Sequence, residues 1–133
     1  NKQKLNNIKL HSGNVYELLE RLNNKKFFES IWIFFPDPWP KKKHFKRRLL
    51  TPEFLKMLYI KLKSNGKIYI ATDSASYIRF ILSGIYELKN YYKLINQNET
   101  YLKIKDYFNL ETKFYNKALI SGREPILLIL KKI

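Results

Sequence analysis

The sequence predicts an α/β fold with a mostly parallel sheet. Two short apolar runs, 30–35 (SIWIFF) and 67–72 (KIYIAT), have the length and composition of buried strands. A helical pattern follows each of them, so the middle of the chain has the order strand, helix, strand, helix. That order implies parallel strands joined by right-handed crossovers. Two closely spaced strand candidates, 112–120 and 125–131, predict an antiparallel C-terminal hairpin.

The first elements are short. Residues 8–10 form a strand candidate. Asn14 is placed to cap a helix from Val15 to about Asn23, because apolar residues recur there at helical spacing. The run 30–35 lacks polar alternation, which is typical of a central strand covered on both faces.

A second helix is marked at both ends. Thr51 is a good N-cap, Pro52 suits the first helical position, and Glu53 lies near the positive end of the helix dipole. Gly66 is placed to end this helix in a left-handed conformation. The chain then enters the apolar run 67–72.

Two acidic residues follow the two central strands. Asp37 comes just after the run 30–35, and Asp73 comes directly after 67–72. Asp73 or Ser74 caps the next helix, which extends to about Leu88. Because ligands of open α/β sheets bind beyond the carboxyl ends of the strands, both acids are candidates for a site.

Composition excludes several classes of protein. The 133 residues suffice for one domain, and the absence of cysteine excludes a disulfide framework and a thiolate metal site. His11 and His44 have no acidic partner at metal-ligand spacing, so no metal site is predicted. No apolar run could span a bilayer, and the N-terminus lacks the apolar core of a signal peptide. We therefore expect a soluble cytoplasmic protein with no membrane partner.

The charge is strongly positive. The 26 basic and 11 acidic residues give a net charge of +15, which favours a polyanionic partner such as nucleic acid. A bias toward Lys, Asn, Ile and Tyr is also typical of an AT-rich genome, which raises the lysine content without selection for binding. The clustering of the charge is therefore more informative than its total.

The densest cluster follows the first acid. Residues 34–48 read FFPDPWPKKKHFKRR, with Asp37 and Trp39 placed among three prolines. Six of the eight residues from 41 to 48 are Lys or Arg. A carboxylate on a rigid turn beside a phosphate-binding surface suits chemistry on a nucleic-acid base.

Residues 35–48 (FPDPWPKKKHFKRR) strongly resemble the signature of the tRNA (guanine-N7-)-methyltransferase family. Three further segments agree with it in order and spacing: 11–14 (HSGN), 71–73 (ATD) and 112–115 (TKFY). The last departs from the family's TKFE-type motif, since Tyr115 replaces the glutamate.

The resemblance implies a partial Rossmann-like class I S-adenosylmethionine-dependent methyltransferase fold. Residues 1–133 would be the C-terminal part of a single such domain. It also implies S-adenosylmethionine as the methyl donor and guanine N7 in the variable loop of tRNA as the acceptor. The family's glycine-rich cofactor loop would lie upstream, so a missing N-terminal segment or another chain is expected to complete the fold.

The resemblance also assigns roles to residues of this chain. Asp37 would be catalytic, holding the guanine ring, and would contact the cofactor together with Asn14. Substrate-binding residues would be Lys41, Asp73, Thr112, Lys113, Phe114 and Tyr115. RNA-binding residues would be Lys43, His44, Phe45, Lys46, Arg47 and Arg48.

Simpler explanations remain open for most of these residues. Asp37 between prolines can form a plain turn, and Trp39 can be a core or lid aromatic residue. Asn14 and Asp73 can be helix caps. Residues 112–114 can be ordinary strand packing, and the basic run can be a solvated surface. An RNA-binding fragment without catalysis is the alternative function.

Overall fold

The computed structural model describes residues 6–22, 26–96 and 112–133, and these form an α/β layer structure. A mixed four-stranded sheet has the order β1-β2-β4-β3. Strands β1 and β2 pair in parallel, and β4 lies antiparallel between β2 and β3. The elements are α1 (Val15–Arg21), β1 (Phe28–Phe34), a 3₁₀ helix (Lys42–Arg47), α2 (Pro52–Lys61), β2 (Leu62–Thr72), α3 (Ala75–Glu87), β3 (Tyr92–Leu94), α4 (Lys113–Ile120) and β4 (Ile126–Lys132).

Side-chain caps fix the starts of the helices where the sequence predicts them. The Asn14 amide oxygen accepts a hydrogen bond from the Tyr16 N–H at 2.8 Å. Thr51 caps α2, and Ser74 rather than Asp73 caps α3. Each cap satisfies one backbone donor that the first helical turn leaves without an intrahelical partner. The predicted end of α1 near Asn23 lies outside the described residues.

The core lies mainly on one face of the sheet. Alternate residues of β2, such as Ile68 and Ile70, are fully buried there against Leu19 of α1, Phe54 of α2 and Ile81 of α3. On the other face a smaller cluster joins buried residues of β2 and β4 to α4: Ala71, Leu127, Ile129 and Tyr115. The sheet therefore has helices on both faces, which confirms the α/β class.

The predicted C-terminal hairpin is wrong. Residues 113–120 form a helix, because Thr112 accepts a hydrogen bond from the Tyr115 N–H at 3.1 Å and caps it. Tyr115 and Ala118, three residues apart, face the sheet, which is helical rather than strand spacing. The antiparallel strand β4 exists, but its partners are β2 and β3.

Four smaller predictions also differ. Residues 8–10 have no strand pairing, and β1 lies at the edge of the described sheet rather than in its centre. Helix α2 ends earlier than expected, at Lys61, because pairing with β1 begins at Leu62. The left-handed residue after α2 is Asn65, with φ 60°, and not Gly66. Gly66 instead permits a close approach, since an added Cβ would lie 2.9 Å from the Lys63 carbonyl oxygen.

Candidate functional site

The two acidic residues lie at the same end of the sheet, just beyond the carboxyl ends of β1 and β2. Phe34 pairs with Ala71 in the parallel ladder, so β1 and β2 end side by side. Asp37 follows three residues after Phe34, and Asp73 directly follows the last residue of β2. The prediction that both acids come just after the carboxyl ends of neighbouring parallel strands is confirmed.

The loop that carries Asp37 has an unusual backbone. Phe35 has φ 50° and Trp39 has φ 41°, and both lie in the left-handed region that bulky residues rarely adopt. Between them, Asp37 is flanked by two prolines, which fix their own φ angles. Such conformations cost roughly 1–3 kcal/mol each and persist only where the surroundings enforce them. The loop thus presents an exposed Asp37 from a constrained main chain.

Arg48 helps to hold the loop in this conformation. Its side chain is 2% exposed, and its guanidinium donates hydrogen bonds to the carbonyl oxygens of Pro38 (2.9 Å) and Trp39 (3.4 Å). It also donates to the Ser76 carbonyl oxygen at 3.3 Å and to the Ser76 hydroxyl at 3.0 Å. The guanidinium carbon lies 3.7 Å from the centre of the Phe45 ring. Burial lowers the pKa of Arg48 below its ordinary value.

This burial corrects one predicted role. Arg48 was expected to bind RNA phosphates, but its guanidinium is enclosed by protein and already donates to four oxygens. Phe45, also expected to contact RNA, supports the buried guanidinium with one face of its ring. The adjacent arginines therefore differ, since Arg47 is exposed and Arg48 belongs to the core.

The rest of the basic run, residues 41–47, lies on the 3₁₀ helix and its N-cap, and its Lys and Arg side chains are exposed. The half-buried ring of Trp39 is packed by two of its members: the Arg47 guanidinium lies 4.9 Å from the ring centre, and His44 meets it edge-on at 5.7 Å. Trp39 is therefore partly covered by its own segment. The exposed cations are Lys41, Lys42, Lys43, Lys46 and Arg47.

Asp73 has a partner that the sequence did not reveal. Arg123 Nε lies 2.7 Å from Asp73 Oδ2, and the two side chains are 51% and 21% exposed. Arg123 comes from the turn between α4 and β4, so this ion pair ties that turn to the end of β2. Asp73 is thus held by a side chain, while its neighbour Ser74 provides the helix cap.

Helix α4 brings the segment 112–115 close to the Asp37 loop. The Phe114 ring stacks on Phe35 with a centroid distance of 6.1 Å, beside the loop of Asp37. Lys113 is exposed, and Tyr115 is half-buried against the sheet. The Thr112 hydroxyl caps the helix, so the expectation that residues 112–114 alternate along a strand is wrong.

Asn14 is explained by capping. It is exposed, and its amide oxygen accepts from Tyr16. Its contact with a cofactor stays a prediction. In the described ranges 6–22, 26–96 and 112–133, no three His, Cys, Asp or Glu side chains cluster as metal ligands. None of the helices in those ranges is long and apolar enough to cross a membrane.

The chain matches known proteins along nearly all of its length. A family described as putative methyltransferase matches residues 1–128. The chain belongs to this family. Its curated relatives include a tRNA (guanine-N(7)-)-methyltransferase of Buchnera aphidicola subsp. Baizongia pistaciae, which is 36% identical over 99% of this chain and 54% of the relative. Another so named, from Buchnera aphidicola subsp. Acyrthosiphon pisum, is 37% identical over 90% of this chain and 49% of its own length.

A further relative is larger. A bifunctional methyltransferase of Rickettsia felis is 36% identical over 98% of this chain, which covers 24% of that protein. The chain spans about half the length of the two Buchnera relatives. The family match and these relatives confirm the resemblance that residues 35–48 carry.

The sequence pattern does not predict the roles of Arg123 and Ser76 or the burial of Arg48. One signal was available for Arg48: it directly precedes Leu49 and Leu50, where the chain turns from a polar run into the core. Arg123 and Ser76 carry no such signal, because each acts on a residue far away in the sequence.

Proposed function

We propose that this chain carries the acceptor side of a tRNA (guanine-N7-)-methyltransferase, with Asp37 as its catalytic residue. The supporting observation is the loop 35–39, which presents an exposed carboxylate at the ligand-binding edge of a parallel strand pair. The names of the relatives agree with this substrate and reaction.

Guanine N7 is already a nucleophile, so the reaction needs positioning more than a base. The Asp37 carboxylate accepts hydrogen bonds from the guanine N1–H and exocyclic N–H, which orients the ring and raises electron density at N7. This orientation would direct the N7 lone pair at the methyl group that bound S-adenosylmethionine would supply. Reactants held at near-attack distance in line account for much of the acceleration.

S-adenosylmethionine supplies the electrophilic methyl group on a sulfonium centre. The chemistry at this end of the sheet fits a cationic donor in part, because the exposed Asp37 carries a carboxylate there. Asp37 and Asn14 are the residues of this chain that we assign to it. The proposed location of this activity is the cytoplasm.

The exposed cations bind the tRNA backbone. Lys41 comes nearest to Asp37 in the sequence and contacts the nucleotide that is methylated. Lys43, His44, Lys46 and Arg47 follow on the 3₁₀ helix and bind phosphates, which orients the tRNA without reading its sequence. Arg47 lies against Trp39, so one of the phosphate-binding residues is in direct contact with the Asp37 loop.

Asp73 and the α4 motif complete the acceptor site. Arg123 holds the Asp73 carboxylate at the end of β2. Phe114 stacks on Phe35 and offers an exposed aromatic edge to the substrate, and Lys113 adds a charge beside it. Thr112 and Tyr115 shape this part of the site by capping α4 and packing it on the sheet.

The domain assignment extends this proposal. Residues 1–133 form the C-terminal part of a single methyltransferase domain, and a further segment or chain provides the rest of the cofactor site. In the sheet that the described residues form, β1 is an edge strand, which is the position where a further strand would be added.

Methyl transfer from labelled S-adenosylmethionine to unmodified tRNA tests the proposal, using the chain and an upstream-extended form of it. We expect label in tRNA with the extended form, and loss of that label with Asp37→Ala. If the extended form transfers nothing to any tRNA, or if Asp37→Ala transfers as well as the parent, the proposal fails.

A catalytically incomplete tRNA-binding fragment is the second candidate. The observation that favours it is the concentration of exposed cations on residues 41–47. Calorimetry separates the two candidates: tight S-adenosylmethionine binding by this chain contradicts the fragment, whereas tRNA binding without cofactor binding supports it.

A further inference from the structure

We infer that Arg48 is a positioning residue that locks the Asp37 loop onto the first turn of α3. This inference rests on the proposed function, because it assigns a role in placing Asp37. It replaces the phosphate contact first expected of Arg48.

The hydrogen bonds of Arg48 join two separate elements. Two of them reach the carbonyl oxygens of Pro38 and Trp39, directly after Asp37. The other two reach the carbonyl and hydroxyl oxygens of Ser76 in α3. Because α3 follows Asp73 at the end of β2, one guanidinium connects both acid-bearing strand ends. A lysine ammonium cannot reproduce this planar fork of donors.

Aromatic rings enclose the same guanidinium. Its carbon lies 3.7 Å from the ring centre of Phe45, 4.9 Å from Tyr77 and 5.0 Å from Phe80. The Tyr77 hydroxyl accepts from the Leu50 N–H at 3.0 Å, which anchors the chain two residues after Arg48. The side chain is therefore fixed at its head by hydrogen bonds and along its sides by rings.

This arrangement accounts for the left-handed conformation of Trp39. A tryptophan with φ 41° needs external support, and its own carbonyl oxygen and that of Pro38 are both held by Arg48. Release of these two carbonyls lets the loop relax, and the Asp37 carboxylate then loses its fixed direction.

Tryptophan fluorescence tests the locking directly. The chain has two tryptophans, so Trp32→Phe leaves Trp39 as the sole reporter. In that background we expect Arg48→Lys to raise acrylamide quenching of Trp39, while the matched change Arg79→Lys at an exposed arginine leaves it unchanged. Ser76→Ala, which removes one acceptor, gives a smaller rise and serves if Arg48→Lys does not fold. Parent-like quenching in a folded Arg48→Lys or Ser76→Ala variant overturns the inference.

Kinetics of the upstream-extended form test the positioning. We expect Arg48→Lys to lower kcat roughly 10²-fold with little change in the KM for tRNA, as for a misplaced catalytic group. Arg47→Lys should instead act mainly on KM. An unchanged kcat for Arg48→Lys contradicts the inference. If the parent transfers no methyl groups, the proposed function fails, and the quenching experiment still decides whether Arg48 holds the loop.

Discussion

The two strand ends hold their acidic residues in different ways. After β1, prolines and Arg48 constrain the main chain around Asp37, which includes two left-handed aromatic residues, while the Asp37 side chain is exposed. After β2, the Asp73 side chain itself is held, by an ion pair with Arg123. At the end of β1 the backbone around Asp37 is held and its carboxylate is exposed. At the end of β2 the Asp73 carboxylate itself is held.

Under the proposed function, this difference marks Asp37 as the catalytic residue and Asp73 as a supporting one. A carboxylate that must accept hydrogen bonds from a substrate needs its oxygens accessible and its backbone rigid. A carboxylate already engaged by an arginine offers fewer acceptor sites and less conformational freedom. We therefore expect equivalent substitutions at the two strand ends to have unequal effects.

The largest difference should appear when each acid becomes an amide. We expect Asp37→Asn to lower methyl transfer by the extended form roughly 10²–10³-fold, the usual cost of losing one preorganised electrostatic contact. Asp73→Asn should cost less, because Arg123 and the cap at Ser74 remain. Initial rates with saturating tRNA check this, and equal losses for the two variants would contradict the distinction.

Removal of each supporting arginine should separate the two ends in stability. Arg48→Met leaves buried carbonyl oxygens without donors, so we expect a loss of about 2–3 kcal/mol in the free energy of unfolding. Arg123→Met removes a half-exposed ion pair and should cost less than about 1 kcal/mol. Urea unfolding of the chain measures both, and a smaller loss for Arg48→Met would reverse the ranking.

Salt dependence of tRNA binding should separate Arg47 from Arg48. Loss of one phosphate contact lowers the slope of log K against log salt by about 0.7–0.9. We expect that change for Arg47→Gln and a nearly unchanged slope for a folded Arg48→Lys variant. Fluorescence anisotropy with labelled tRNA provides the slopes. Equal changes in slope for the Arg47 and Arg48 variants would show that Arg48 also contacts a phosphate.

The smallest effect concerns alkaline pH. Burial raises the pKa of Tyr77, beneath Arg48, above its ordinary value of 10.0. Since the folded-state pKa is the higher one, the resulting stability is complete below about pH 10 and is lost as the pH rises further. Tyr77→Phe should flatten the decline between pH 9 and 11, roughly the range around the unfolded pKa. The same steepness in both proteins would contradict this.

Local signals in the sequence predicted the start of each central helix. Thr51 and Asn14 act as caps through contacts within three residues, so their neighbours suffice to identify them. The close spacing of 112–120 and 125–131 around the turn residues 121–123 instead predicts two strands of a hairpin. Residues 113–120 form a helix instead, which Thr112 caps and which packs on the sheet through Tyr115.

The location of the site was predictable, but its internal support was not. Two acids after two parallel strands must lie near the same edge, so Asp37 and Asp73 could be found from strand order alone. The burial of Arg48 depends on Ser76, 28 residues later, and the pairing of Asp73 depends on Arg123, 50 residues later. Contacts of that range follow from tertiary packing, which one sequence does not reveal.

Atom-specific methyl transfer tests the central claim most directly. The extended form would be given labelled S-adenosylmethionine with tRNA, and with the same tRNA containing 7-deazaguanosine, in which carbon replaces N7. We expect label in the guanosine tRNA that depends on Asp37, and none in the 7-deazaguanosine tRNA. Equal labelling of the two tRNAs, or labelling that Asp37→Asn leaves unchanged, would contradict it.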